Sequence, residues 1–182
     1  MTAGTRTLTL LRHAKSGWDD PALRDYDRGL NAKGKRAAAL IGGYLRSSGA
    51  AYDQVVASPA VRVTETLAQV ESGYGRTLAP EWDRRIYLAS AVTLLDIVHE
   101  LRAEATHVLL VGHNPGLEDL AMLLVPESDA PLRRALEAKY PTATIAGLEY
   151  EGAWSDLAAG GARLTRFVRP RDLDPTLGPD ED

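Results

Sequence analysis

At 182 residues the chain is long enough to bury one real core and too short for two ordinary domains. Its 45% apolar and 25% charged residues exclude wholesale disorder, and a formal net charge of -4 argues against a nucleic-acid or anionic-membrane partner, which needs a basic surface that sheds counterions. With no cysteine, disulfides, zinc-thiolate sites and a thiolate nucleophile are excluded together.

The opening Met1 to Leu11 has only a short apolar run and no small-residue cleavage site, and no later stretch stays apolar long enough to span a bilayer. The expected compartment is therefore the cytoplasm. Thr7 to Leu11 reads as a buried strand that delivers Arg12 and His13 to its C-terminal end. Lys15 to Leu30 is polar and turn-rich, holding Trp18, Asp19, Asp20, Pro21, Asp25 and Asp27, and reads as a long active-site loop. Asn31 can cap the next helix, whose Ala37, Leu40, Ile41, Tyr44 and Leu45 recur at helical spacing before Gly49 supplies a stop.

Asp53 to Ala57 predicts a second strand running into Ser58-Pro59, with the proline at the first position of a helix that extends to about Val70 and carries Arg62 on its first turn. A helix capped by Ser90 places Leu94, Leu95, Val98 and Leu101 on one face. Val108 to Val111 is the most apolar strand, and it ends at Gly112-His113-Asn114-Pro115-Gly116. After a helix from Leu117 to Leu124, the stretches Ala143 to Tyr150 and Arg163 to Val168 predict a hairpin at a sheet edge. The domain is expected to span residues 1 to 173, with the acidic tail from 174 to 182 frayed.

Strands that alternate with helices imply a mostly parallel sheet covered on both faces, with ligands outside the strand C-termini. His13, Arg62 and His113 all fall at that edge. Two imidazoles and two guanidiniums converging there make a phosphate site: guanidinium forks match phosphoryl oxygens, and a neutral imidazole can attack phosphorus in line. His13 is the natural nucleophile. Cationic neighbours should depress its pKa, and an acceptor on its second ring nitrogen would fix the tautomer. His99 and His107 read as structural, with no metal-ligand spacing to another histidine. No metal site and no cofactor are expected. Gly29 to Lys35 spells G-x-x-x-x-G-K, but Arg36 stands where a nucleotide-binding loop needs Ser or Thr, and the preceding residues are too charged for a buried strand.

The strings Leu11-Arg12-His13-Ala14, Ser58-Pro59-Ala60-Val61-Arg62-Val63-Thr64-Glu65-Thr66 and Gly112-His113-Asn114 resemble the histidine phosphatase superfamily. Arg12-His13-Ala14-Lys15-Ser16, Asp27-Arg28-Gly29-Leu30-Asn31 and Pro170-Arg171-Asp172-Leu173 are similar to its small phosphohistidine phosphatase (SixA-like) branch. The resemblance implies a three-layer α/β/α sandwich of the phosphoglycerate mutase type and a phosphohistidine intermediate on His13. It implies that Arg12 and Arg62 bind the phosphoryl oxygens, that His113 donates to them, and that Arg28, Asn114 and Ser58 belong to the substrate site.

Relatives close to phosphoglycerate mutase carry an asparagine at the position of Asp19 and a glutamate acid near Asp83 to Ile86, where this chain has Arg84 and Arg85. Without a placed acid, an alkoxide leaves poorly, whereas an imidazole leaves phosphorus readily. The expected substrate is thus phosphohistidine on a protein, with a small phosphoester as the alternative substrate and a catalytically weak phospho-ligand binding module as a further reading. Asp19 is the first candidate proton donor, ahead of Asp20, Asp27, Glu81 and Asp83.

Overall fold

The structure, a computed structural model, describes residues 4–128 and 130–179. Strand β1 (Thr5–Arg12) alternates its side chains, sending Leu8 and Leu10 to one core and Leu11 to the other. The β4 strand (His107–Gly112) does the same, with Val108 and Leu110 on one side and Leu109 and Val111 on the other. Strands buried on both faces need a layer of helices on each.

One layer consists of α1 (Ala32–Ser47) and α2 (Val61–Tyr74), and the other of α3 (Ala91–His99), α4 (Gly116–Leu124) and α5 (Pro131–Ala138). Between them lies a six-stranded sheet in the order β3-β2-β4-β1-β5-β6, with β2 at Gln54–Ala57, β3 at Glu81–Trp82, β5 at Ile145–Glu151 and β6 at Arg163–Val168. The pairs from β3 through β1 are parallel; β5 and β6 are antiparallel and close one edge as the expected hairpin. The three-layer α/β/α architecture is as the sequence implied.

Local chemistry explains the element ends. Asn31 accepts from the Gly34 amide at 2.8 Å and Ser90 from the Thr93 amide at 3.3 Å, each capping its helix as expected. Gly75, at φ 77°, ends α2 in the left-handed conformation that a side chain disfavours. Gly42 and Gly73 let α1 and α2 touch backbone to backbone: a Cβ on Gly42 would lie 2.1 Å from the Val70 carbonyl oxygen, and one on Gly73 2.0 Å from that of Ala39.

Three expectations are corrected. The residue Pro59 is not the first helical residue of α2; the helix starts at Val61, because the Ala60 carbonyl is the first to accept, from the Val63 and Thr64 amides. The short strand β3 and the helix α5 were not expected. And the stretch from Asp174 to Leu177 is ordered rather than frayed: a short helix α6 (Pro170–Leu173) leads into a 3-10 turn at Pro175–Leu177, capped by the Asp174 carboxylate on the Thr176 amide at 3.0 Å, and Leu177 is buried in the core beside α1. The last three positions, Asp180 to Asp182, lie outside the described residues.

Candidate active site

Strands β2, β4 and β1 are neighbours that end at one level, since Ala57 pairs with Val111 and Arg12 with Gly112. The residues just past those ends are Ser58, His113 and His13. Backbone bonds extend the register one step, from the Ser58 amide to the Val111 carbonyl and from the His13 amide to the Gly112 carbonyl, both 3.0 Å. Arg62 arrives on the first turn of α2. Thr66, one turn later, donates to the Arg62 carbonyl at 2.6 Å and accepts from the Ala14 amide at 2.9 Å, which ties that helix to the residue after His13.

These elements enclose a cavity of about 420 Å³ whose wall includes Arg12, His13, Arg28, Arg62 and Asn114 together with Lys15, Trp18, Asp25 and Lys33. His13 is 8% exposed. Its Nδ1 lies 2.7 Å from the Ala14 carbonyl oxygen, which can only accept, so Nδ1 carries the proton and Nε2 is the basic nitrogen. Burial, opposed in part by that hydrogen bond, and then the neighbouring His113, Arg62 and Arg12 lower the His13 pKa to about 3. The His113 ring, 5.3 Å from that of His13, is lowered to about 3 as well, by burial and then chiefly Arg62. Both imidazoles are therefore neutral at neutral pH. His113 Nε2 meets the Ser58 hydroxyl at 2.8 Å, while its Nδ1 and the Nε of Arg62 are buried without a hydrogen-bond partner.

Asp25 organises the cationic wall. One carboxylate oxygen accepts from Arg28 Nη2 at 2.9 Å and Nε at 3.3 Å; the other accepts from Arg62 Nη2 at 3.0 Å and the Tyr87 hydroxyl at 2.5 Å. The Asp25 carbonyl accepts from Arg62 Nη1 at 2.7 Å. Burial works against ionisation here, but the hydroxyl and the two guanidiniums outweigh it and hold the carboxyl well below the usual range. Tyr87 also sets its ring edge against His113 at 5.3 Å.

The structure thus gathers Arg12, His13, Arg62, His113, Arg28 and Asn114 at one place, with differing freedom. Arg28 is mostly spent: beyond its bonds to Asp25, its Nη1 donates to Ser16 at 2.6 Å and the Gly17 carbonyl at 3.3 Å, and the exposed Trp18 ring stacks 3.4 Å from its guanidinium carbon. The Asn114 amide bonds the Tyr140 carbonyl at 3.1 Å and the Glu118 carboxylate at 3.4 Å. Two expectations need correction. Ser58 is fully buried with its hydroxyl on His113 Nε2, so it orients that ring rather than touching a ligand; His113, like Ser58, lies just outside the cavity wall, its ring 5.3 Å from that of His13. Asp19, Asp20 and Glu81 are exposed and outside the wall; Asp27 and Asp83 are half-buried, also outside it, and engaged by Arg24 and Arg85. His99 and His107 are structural, bonding the Leu157 carbonyl at 2.7 Å and the Thr7 hydroxyl at 2.8 Å. Sequence reasoning missed Asp25 and Tyr87, whose local strings carry no signal beyond an acid among acids and an aromatic in a turn.

Residues 8–86 match the histidine phosphatase superfamily (branch 1). An uncharacterized protein of Mycobacterium tuberculosis H37Rv is 36% identical over 163 residues, covering 88% of this chain and all of that one. A solved structure from Nakamurella multipartitia, named for phosphohistidine phosphatase SixA, superimposes with a TM-score of 0.80 at 35% identity over 93% of this chain and 99% of its own. The chain belongs to the histidine phosphatase superfamily. Within it the likeness is to the SixA-like branch, since a second structure named for SixA, from Agrobacterium tumefaciens, follows at TM-score 0.76 and 28% identity over 91% of this chain and 98% of that one. Membership in the histidine phosphatases gives the activity its class, a phosphatase, and the sheet its phosphoglycerate mutase type.

Proposed function

We propose that the protein is a metal-independent phosphatase that removes phosphate from protein phosphohistidine, with His13 carrying the phosphoryl group between two steps. One observation carries the reading. Among the described residues the cavity wall holds a single carboxyl group, Asp25, and its partners keep it ionised, so it is a poor proton donor. An alcohol leaving phosphorus needs such a donor. A phosphorylated imidazole already protonated on its other nitrogen does not, because it departs as neutral imidazole.

The steps balance without further reagents. Neutral His13 Nε2 bonds to phosphorus while the substrate's P–N bond breaks and its imidazole leaves neutral. Water then bonds to phosphorus, the bond to His13 breaks, and both water protons leave with the product as dihydrogen phosphate. Throughout, Nδ1 keeps its proton on the Ala14 carbonyl. Arg12 and Arg62 supply charge for the phosphoryl oxygens, the unsatisfied Arg62 Nε among the donors. A Ser58 hydroxyl that donates to His113 Nε2 puts the proton of that ring on the unpartnered Nδ1, a further donor.

Rapid quench with a labelled phosphohistidine peptide is expected to trap acid-labile phosphate on His13 and none in His13→Ala. Alkyl phosphoesters should turn over about 10²-fold more slowly or worse, the usual worth of an acid. Full activity in His13→Ala, or loss of turnover in EDTA, would overturn the proposal; efficient hydrolysis of sugar phosphates would move it to small phosphoesters.

A further inference from the structure

The cavity is larger than a phosphoryl group requires, and its charge is lopsided. In a chain of net charge -4, its wall carries Arg12, Lys15, Arg28, Lys33 and Arg62 against Asp25 alone. Asp25 is consumed by Arg28 and Arg62. Lys33 has no hydrogen bond or ion pair among the described residues, although it is half-buried on the first turn of α1. It stands four residues before Ala37, on the same face of the helix, and both line the cavity with Pro170 and Leu177. Those three apolar residues are largely buried, so this lobe has a low-dielectric floor under an uncompensated ammonium group, where an ion pair gains strength.

Gly34 fixes the lobe in place. A Cβ there would fall 2.1 Å from the Lys15 carbonyl oxygen, and the Asn31 amide donates to that oxygen at 3.0 Å, so the start of α1 is seated directly on the loop that follows His13. The lobe belongs to the same cavity as His13, and a ligand that fills the cavity reaches both.

We infer that the lobe formed by Lys33, Ala37, Pro170 and Leu177 is a second anion subsite, which takes a carboxylate carried on the same substrate as the phosphoryl group. The inference rests on the reading that the phosphoryl group binds at His13. The carboxylate comes either from an acidic side chain beside the phosphorylated residue of a protein or from a small substrate. Its shared requirement is an apolar spacer between two anionic ends.

The test uses binding, so that it does not depend on turnover. Calorimetry compares alkylphosphonates with ω-carboxyalkylphosphonates of two to five methylenes. At least one spacing is expected to bind about 5-fold tighter than its alkyl counterpart, the scale of one partly exposed ion pair, with the gain abolished in Lys33→Gln and kept in Lys33→Arg. The inference is overturned if no carboxylate improves binding or if the gain survives in Lys33→Gln. Phosphohistidine peptides with Glu or Gln beside the phosphorylated residue identify the source: a preference for Glu that disappears in Lys33→Gln assigns it to a protein, and equal turnover alongside a positive phosphonate series assigns it to a small substrate. Phosphonate binding without any phosphohistidine turnover would remove the proposed function and leave the subsite standing.

Discussion

Asp25 does no proton chemistry at neutral pH, yet its two oxygens hold the Arg28 and Arg62 guanidiniums of the cavity wall and receive a tyrosine as well. A carboxylate has lone pairs for four donors, and here all four are taken. The amide in Asp25→Asn keeps one accepting oxygen and turns an NH₂ group towards a guanidinium, so Arg28 or Arg62 must shift. The expected result is a loss of about 10²-fold in kcat/KM with little change in melting temperature, as for a misplaced binding group. Tyr87→Phe should lose less, because it removes one donor and leaves the arginine contacts. An unchanged kcat/KM in Asp25→Asn would mean that Arg62 is held by its backbone partner alone. At this scale the sequence was informative where chemistry is local: Arg12-His13 and Gly112-His113 are adjacent pairs at strand ends, and the strand register does the rest. Asp25 was illegible because its choice among the loop's acids is made by Arg62, 37 residues away.

Among the elements, those with long periodic faces were readable in advance, α1, α3 and β4 above all, because burial of one face leaves its period in the sequence. The strand β3 was not, since two residues cannot show a period and both are exposed. In α5 the buried positions are Arg133 and Leu136, too few apolar residues to announce a helix. The C-terminal turn was hidden for another reason: Leu177 is a single apolar residue among polar neighbours, and only its place beside α1 makes it core. Helix contact also sets the fate of substitutions. Gly42→Ala must push α1 and α2 apart, since the overlap is with backbone that cannot rotate away, and is expected to cost about 2 kcal/mol or more in urea unfolding. Gly43→Ala, where a Cβ meets nothing within 4 Å, should be neutral or stabilising and serves as the control.

For the molecule as a whole, two buried neutral histidines make folding sensitive to acid. His13 and His113 have pKa values of about 3 in the folded chain against 6.5 when unfolded. Between those values the unfolded chain binds more protons, so their contribution is complete above pH 6.5 and drains away as pH falls towards 3. Asp25 is displaced in the same direction, downward, and its contribution is lost only below its ordinary value of 3.8. The urea midpoint is therefore expected to drop between pH 7 and pH 5.5, above the range where the carboxylates titrate, and to drop less in His13→Gln; equal slopes in both proteins would refute the assignment. Phosphate neutralises the guanidiniums and should flatten the same slope. The glycine contact between α1 and α2 has a reach beyond stability. The first helix carries Lys33 and Ala37 and the second carries Arg62, so two missing methyl groups act as the gauge that sets how far apart the cavity's walls stand, and which length of substrate can bridge them is decided a full turn or more from any atom it touches.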